Sequence, residues 1–291
     1  MKLIAKHSIS PLSLKAIKLI AWPGLLPLAA LLLLGMCAAR PARTEAQAAA
    51  PPPPYAVFEF MKIEPGKAED YRKMEREIWM PIHRERIKQG LIKSWTLWGM
   101  RFPGGTAREY DAIAITTFDK FADVENSYPP EIFKKVHPKM TDEERGARTT
   151  ATRKMVRTEV VALLDSTQPT PSTQSPRYAF IGYMKPEYGK TRQYVELERR
   201  YWKPIHQERV SRGILRSWTL YGVRFPGGTD RPYSHFTVQL LDKFQDLEIQ
   251  YPEGIWEKTH PTVKQEEIDT RTNAARKMVW TDLLTLMEQA R

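Results

Sequence analysis

An α+β fold made of two tandem βαββαβ units is what this 291-residue sequence predicts. Three observations predict it. The chain overlays itself at a shift of 123 positions, each copy reads strand, helix, strand, strand, helix, strand, and a polar Pro-rich stretch separates the copies. At that shift 52 of 111 aligned positions are identical. Trp79-Met80-Pro81-Ile82-His83 meets Trp202-Lys203-Pro204-Ile205-His206, Ser94–Leu97 (SWTL) recurs at Ser217–Leu220, and Arg101–Thr106 (RFPGGT) recurs at Arg224–Thr229. Two copies at so long a period mean two equivalent domains, because a solenoid needs shorter and more numerous units.

The elements follow in order through the first copy. Tyr55–Ile63 alternates and is rich in aromatics, a strand. Over Gly66–Lys88 the charges have helical spacing around a stripe of Tyr71, Met74, Ile78 and Ile82. Pro81 lies inside that run and predicts a kink or a restart. Leu91–Phe102 is a strand, Pro103-Gly104-Gly105 turns the chain, and a third strand runs from about Tyr110 to Phe118. Asp119 fits an N-cap for a helix reaching Lys135 and broken near Tyr128-Pro129. A further helical stretch leads to a last strand over Met155–Leu164. This is the ferredoxin-like split order. Repeat 1 spans 55–165 and repeat 2 spans 178–291, joined by the linker 166–177.

Ahead of them, 1–48 reads as an export segment and 49–54 as a stiff Pro-rich spacer. Lys2, Lys6, Lys15 and Lys18 precede 21 uncharged residues from Leu19 to Ala39, and Ala46-Gln47-Ala48 offers an A-x-A cleavage site. The expected location is periplasmic or extracellular; left uncut, this segment would be the chain's one membrane anchor. Cleavage would remove Cys37, the single cysteine, and with it disulfide, thiolate-metal and Cys-nucleophile chemistry. It would also lower the net charge from +11 to +6, since 1–48 holds six basic residues and one acid. The remaining charges alternate in sign, which argues against a nucleic-acid partner. One apolar stretch of near-spanning length excludes a polytopic membrane protein.

Each unit covers one sheet face with helices and leaves the other bare, so the two sheets are expected to pack face to face around an internal pseudo-twofold in a monomer. In element order and length both copies resemble the dimeric α+β barrel superfamily, with its antibiotic-biosynthesis-monooxygenase-like and NIPSNAP-like members. That resemblance implies an intrachain pseudo-dimeric α+β barrel. It also brings cofactor-independent oxygenases and haem-binding proteins into view as functional relatives.

Two sets of residues could carry chemistry. Glu75, Trp79, His83 and Arg86 share one helix face, repeated as Glu198, Trp202, His206 and Arg209. They offer His83 or His206 as a general base or haem ligand, or else a packed helix–sheet seam. In repeat 2, Tyr233, His235, Thr237 and Gln239 alternate with Phe236, Val238 and Leu240. The expectation places the polar set on the inner sheet face, joined by Trp280 and Asp282, with His235 where repeat 1 has Ala112. Tyr233, His235 and Gln239 would then orient a small, partly apolar ligand against Trp280, with Asp282 beside them and without covalent catalysis or a required cofactor. The rival readings are an oxygenase in which His235, His83 or His206 deprotonates a phenol or enol, and a structural subunit that docks a protein partner. His137-Pro138 and His260-Pro261 read as helix ends. The chain holds no G-x-S-x-G elbow, P-loop, dinucleotide fingerprint, H-E-x-x-H or C-x-x-C-H. His83-Arg84-Glu85 points its ends to different helix faces, so no metal site is expected.

Overall fold

The computed structural model describes residues 52–291 except 126, 171, 173 and 250. The expected export segment and its candidate cleavage site lie outside the described residues. Among the described residues no helix is long and apolar enough to cross a membrane.

Eight antiparallel strands alternate with helices: β1 (Tyr55–Ile63), α1 (Ala68–Met74), α2 (Met80–Lys88), β2 (Ser94–Phe102), β3 (Ala112–Phe118), α3 (Pro130–Val136), α4 (Asp142–Thr150) and β4 (Arg153–Ser166). Then follow β5 (Tyr178–Pro186), α5 (Thr191–Leu197), α6 (Lys203–Ser211), β6 (Ser217–Phe225), β7 (His235–Leu241), α7 (Ile255–Thr259), α8 (Gln265–Ala275) and β8 (Arg276–Ala290). The strands close in the order β1-β3-β2-β8-β5-β7-β6-β4. The ring is sealed by two ladders between the halves, β2 with β8 and β4 with β6. The two sheets therefore do more than face each other: their edges are hydrogen-bonded into one closed antiparallel barrel. Gly99 and Gly222 sit at these seams. A Cβ on Gly99 would fall 2.7 Å from Met287 Sδ, and one on Gly222 3.1 Å from Leu164, so glycine lets the other half's last strand lie close.

Inside the ring lies an aromatic and aliphatic core that includes Phe58, Phe60, Ile113, Ile181, Tyr183, Phe236 and Val238. Phe58 meets Phe236 edge-on at 4.9 Å between centroids. The helices cover the outer face, where Trp95 and Trp218 are wholly buried.

The expected phase of the third strands is reversed. Phe236, Val238 and Leu240 point into the ring with Ile113 and Ile115, while Ala112 and Ala114 face the helices. His235 and Gln239, out of step with that apolar set, lie on the helix side. Closure is the reason: the enclosed interior takes the more apolar set of these strands, and the acids that do enter it, Asp282 and Glu159, are met by tyrosines. Two smaller expectations also change. Asp119 caps no helix but pairs with Lys93 at 2.6 Å, and the segment after it is a short 3-10 turn, Phe121–Val124. Pro81 produces no break, because a widened π-turn at Glu75–Trp79 precedes it and joins α1 to α2; Glu198–Trp202 does the same before Pro204. His137 and His260 end α3 and α7 as expected, and each bonds back to a carbonyl of a π-turn, Ile78 O and Tyr201 O, at 2.9 Å.

Candidate functional site

The two π-turns bring the repeated helix line onto the outer sheet face, and around the first of them a cavity opens. It measures about 380 Å³ and lies between the first π-turn, α2, α3, α4 and the strands β1 to β4. Glu75 and Trp79 enter it from the π-turn, His83 from α2, Glu59 from β1, Arg153 from the start of β4 and Arg145 from α4. Trp95 and Phe133 add aromatic walls.

Glu75 is the chemical centre. Its side chain is 2% exposed, and Oε1 has no hydrogen-bond partner. Arg153 Nε stands 3.5 Å from Oε1, an ion pair without hydrogen-bond alignment. Burial outweighs that attraction, Glu59 adds a like charge, and the carboxyl is pushed up to about 7. Glu59 is itself raised by burial, against the pull of Arg153 and Arg86. Two carboxyls and one nearby guanidinium thus share this space, and at neutral pH Glu75 can take up or release a proton.

His83 has a different part. Its ring stacks on Trp95 at 4.3 Å between centroids and lies 6.2 Å from Trp79. Arg86 Nη1 donates to His83 Nδ1 at 2.8 Å. Arg carries no acceptor, so Nδ1 holds the lone pair and the neutral ring carries its proton on Nε2. Burial and Arg86 hold His83 well below the usual histidine range. It can donate a hydrogen bond but cannot take a proton. His206 repeats the arrangement, with Arg209 Nη1 at 3.2 Å and Trp218 stacked at 5.2 Å.

The second half has no equal of this cavity chemistry. Shifted by 123, Glu59 becomes Gly182, Arg145 becomes Ile268, which is wholly buried, and Phe133 becomes Trp256. Glu198 keeps a carboxyl pushed up to about 7, with Tyr194 and Arg276 beside it, but without a second acid.

The other expected site residues separate. Tyr233, Trp280 and Asp282 enter the ring interior, where Tyr183 packs on Trp280 at 4.7 Å. Tyr110 donates to Asp282, and Tyr233 donates to Glu159 Oε1 at 2.6 Å, so each half's tyrosine bonds the other half's last strand. His235 instead faces the helices, with Ser234 Oγ 2.9 Å from Nδ1 and the Tyr194 ring edge-on at 5.5 Å. Burial lowers it to about 4. Gln239 accepts from Arg209 Nη1 at 2.9 Å. The predicted cluster of Tyr233, His235 and Gln239 is therefore split between two faces.

Sequence reasoning missed Glu59, Arg145 and Arg153. A signal was present: Glu59 is a lone acid in the apolar alternation YAVFEFMKI, at a position where the second copy has glycine.

With this geometry in view, the solved structures can be placed beside it. A protein from Fusobacterium nucleatum subsp. nucleatum, described as a candidate monooxygenase, is 8% identical with a TM-score of 0.55, over 82% of this chain and 94% of that one. An anthrone oxidase-like protein is 10% identical with a TM-score of 0.50, over 83% and 94%. The likeness shows the fold. It is a mixed α+β fold with eight antiparallel strands, consistent with the dimeric α+β barrel proteins. A haem-binding protein from Thermus thermophilus matches at a TM-score of 0.46 and 6% identity, over 81% and 92%, too loose a likeness to argue from. No family model matches the chain, and no curated protein matches it in sequence. In this cavity three carboxyls, one of them Asp142 paired with Arg145 at 2.7 Å, and two guanidiniums surround the aromatic walls, and its histidine is held at Nδ1 and stacked on an indole. These residues suit a small flat molecule with a polar edge and do not suit a haem macrocycle.

Proposed function

We propose that the chain is an enzyme of the cofactor-independent oxygenase kind, acting in the first-half cavity on a small aromatic molecule with an acidic C–H or O–H. One observation carries this reading: a buried carboxyl, Glu75, in the lining of a cavity, with an oxygen that has no hydrogen-bond partner and a pKa of about 7. The two halves form an internal pseudo-dimer in which only the first is equipped, and the change of Glu59 to Gly182 and of Arg145 to Ile268 supports that division.

Ionised Glu75 takes the substrate proton. Burial keeps its basicity high and Glu59 adds a like charge, against the attraction of Arg153 at 3.5 Å. The His83 Nε2–H and the Arg145 guanidinium supply positive edges for the oxygen that gathers charge. Trp79 and Phe133 provide walls for an aromatic ring, with Trp95 buried behind His83. The resulting carbanion or phenolate is electron-rich enough to reduce dioxygen directly, so the oxidant is dioxygen itself.

Anthrone is a suitable probe, because its methylene is acidified by the ring ketone. One anthrone and one dioxygen give one anthraquinone and one water. With the full chain, dioxygen uptake should match anthraquinone formation one to one above the buffer rate, and the rate should rise with pH through about 7. Glu75→Gln should lower it by about 10²–10⁴-fold. Glu198→Gln should leave it unchanged. Equal loss in both variants, or none in Glu75→Gln, would refute the assignment.

A further inference from the structure

A second cavity, of about 840 Å³, lies on the outer face of the second half, where the Phe102-Pro103 turn of the first half reaches over it. Its walls are apolar, with Phe180, Leu247 and Leu283 prominent. Its rim is apolar as well, for Phe102 is 53% exposed and Met278 48% exposed. Its polar lining is Arg209, Gln239, Tyr251 and Thr281, none with a role in the proposed proton transfer.

Arg209 is 3% exposed, and among the described residues no carboxylate lies within ion-pair distance of it. Nη1 is used by Gln239 and His206, but Nε has no partner. Its first-half counterpart, Arg86, uses the same nitrogen: Nε donates to Ser127 O, the guanidinium lies 3.5 Å from the Tyr128 ring centroid, and Glu59 is near enough to act on it, while Nη2 is the atom left without a partner. In the second half Gly182 removes that acid. Burial lowers Arg209 to about 10, outweighing Tyr251 and Asp246, which act on it only from beyond ion-pair distance. Gln239 gives its oxygen to Arg209, which leaves its amide N–H groups as donors.

We propose that this cavity binds a monocarboxylic acid with an apolar body, its carboxylate on Arg209 and Gln239 and its body against Phe180, Leu247 and Leu283. One positive charge with a few N–H donors matches a monoanion with two oxygens, and the apolar walls match the rest.

Isothermal titration of the full chain with decanoate tests this, alongside decanol and decyl phosphate. One equivalent of decanoate should bind, decanol should bind at least tenfold more weakly, and Arg209→Met should cost at least tenfold. Leu247→Trp, which keeps the arginine but fills the space, should abolish binding even if Arg209→Met does not fold. Glu75→Gln should bind decanoate like the parent, so this proposal stands or falls apart from the oxygenase reading. Equal binding of decanol, undiminished binding by either cavity variant, or tighter binding of decyl phosphate would overturn it.

Discussion

Replacing Glu75 by Gln tests the claim that this carboxyl is desolvated in the folded chain. Its folded pKa of about 7 lies above the ordinary value of 4.5. Between those values the native state keeps a proton that the unfolded chain has released, so the contribution of Glu75 is full below pH 4.5 and is lost as pH rises through 7. The complete shift is worth about 3 kcal/mol. Gln resembles the protonated acid and does not titrate. At pH 4 the two proteins should therefore differ only by a constant, which includes whatever Arg153 loses in its new surroundings. From pH 4 to pH 8 the balance should move toward Glu75→Gln by about 3 kcal/mol, or roughly 6–12 °C in Tm for a chain of this size. Urea denaturation followed by tryptophan fluorescence across that range gives the difference directly. Glu198→Gln should behave alike, because Glu198 is also 3% exposed and raised to about 7. A difference independent of pH would mean that water reaches both carboxyls, and the argument for Glu75 as a tuned base would go with it.

Further outcomes follow from the asymmetries. Tyr110→Phe should cost about 1–3 kcal/mol by chemical denaturation, since Asp282 is 2% exposed and has no ion-pair partner among the described residues. Tyr233→Phe should cost less, about 1 kcal/mol, because Glu159 keeps Arg231 at 2.6 Å and Arg157 at 3.4 Å. The reverse order would contradict the network. The double change Glu59→Gly with Arg145→Ile copies the second half's residues into the first; anthrone oxidation should vanish while far-UV circular dichroism stays unchanged. Retained turnover would separate the cavity from the activity.

What the sequence determined by itself was local and periodic. The doubling, the element order and the line Glu75-Trp79-His83-Arg86 could be read directly, because a shift of 123 and a spacing of three or four residues are properties of the chain alone. The alternation of β7 likewise defined its two sides, but not which side lay inside. Ring closure decided that, sending Phe236 and Val238 to the enclosed interior and leaving His235 and Gln239 under the helices. The chemistry of the acids and histidines was also tertiary. Arg86 turns His83 into a donor, and burial beside Glu59 turns Glu75 into a base, because proton affinity depends on the surroundings that folding assembles from distant strands and helices.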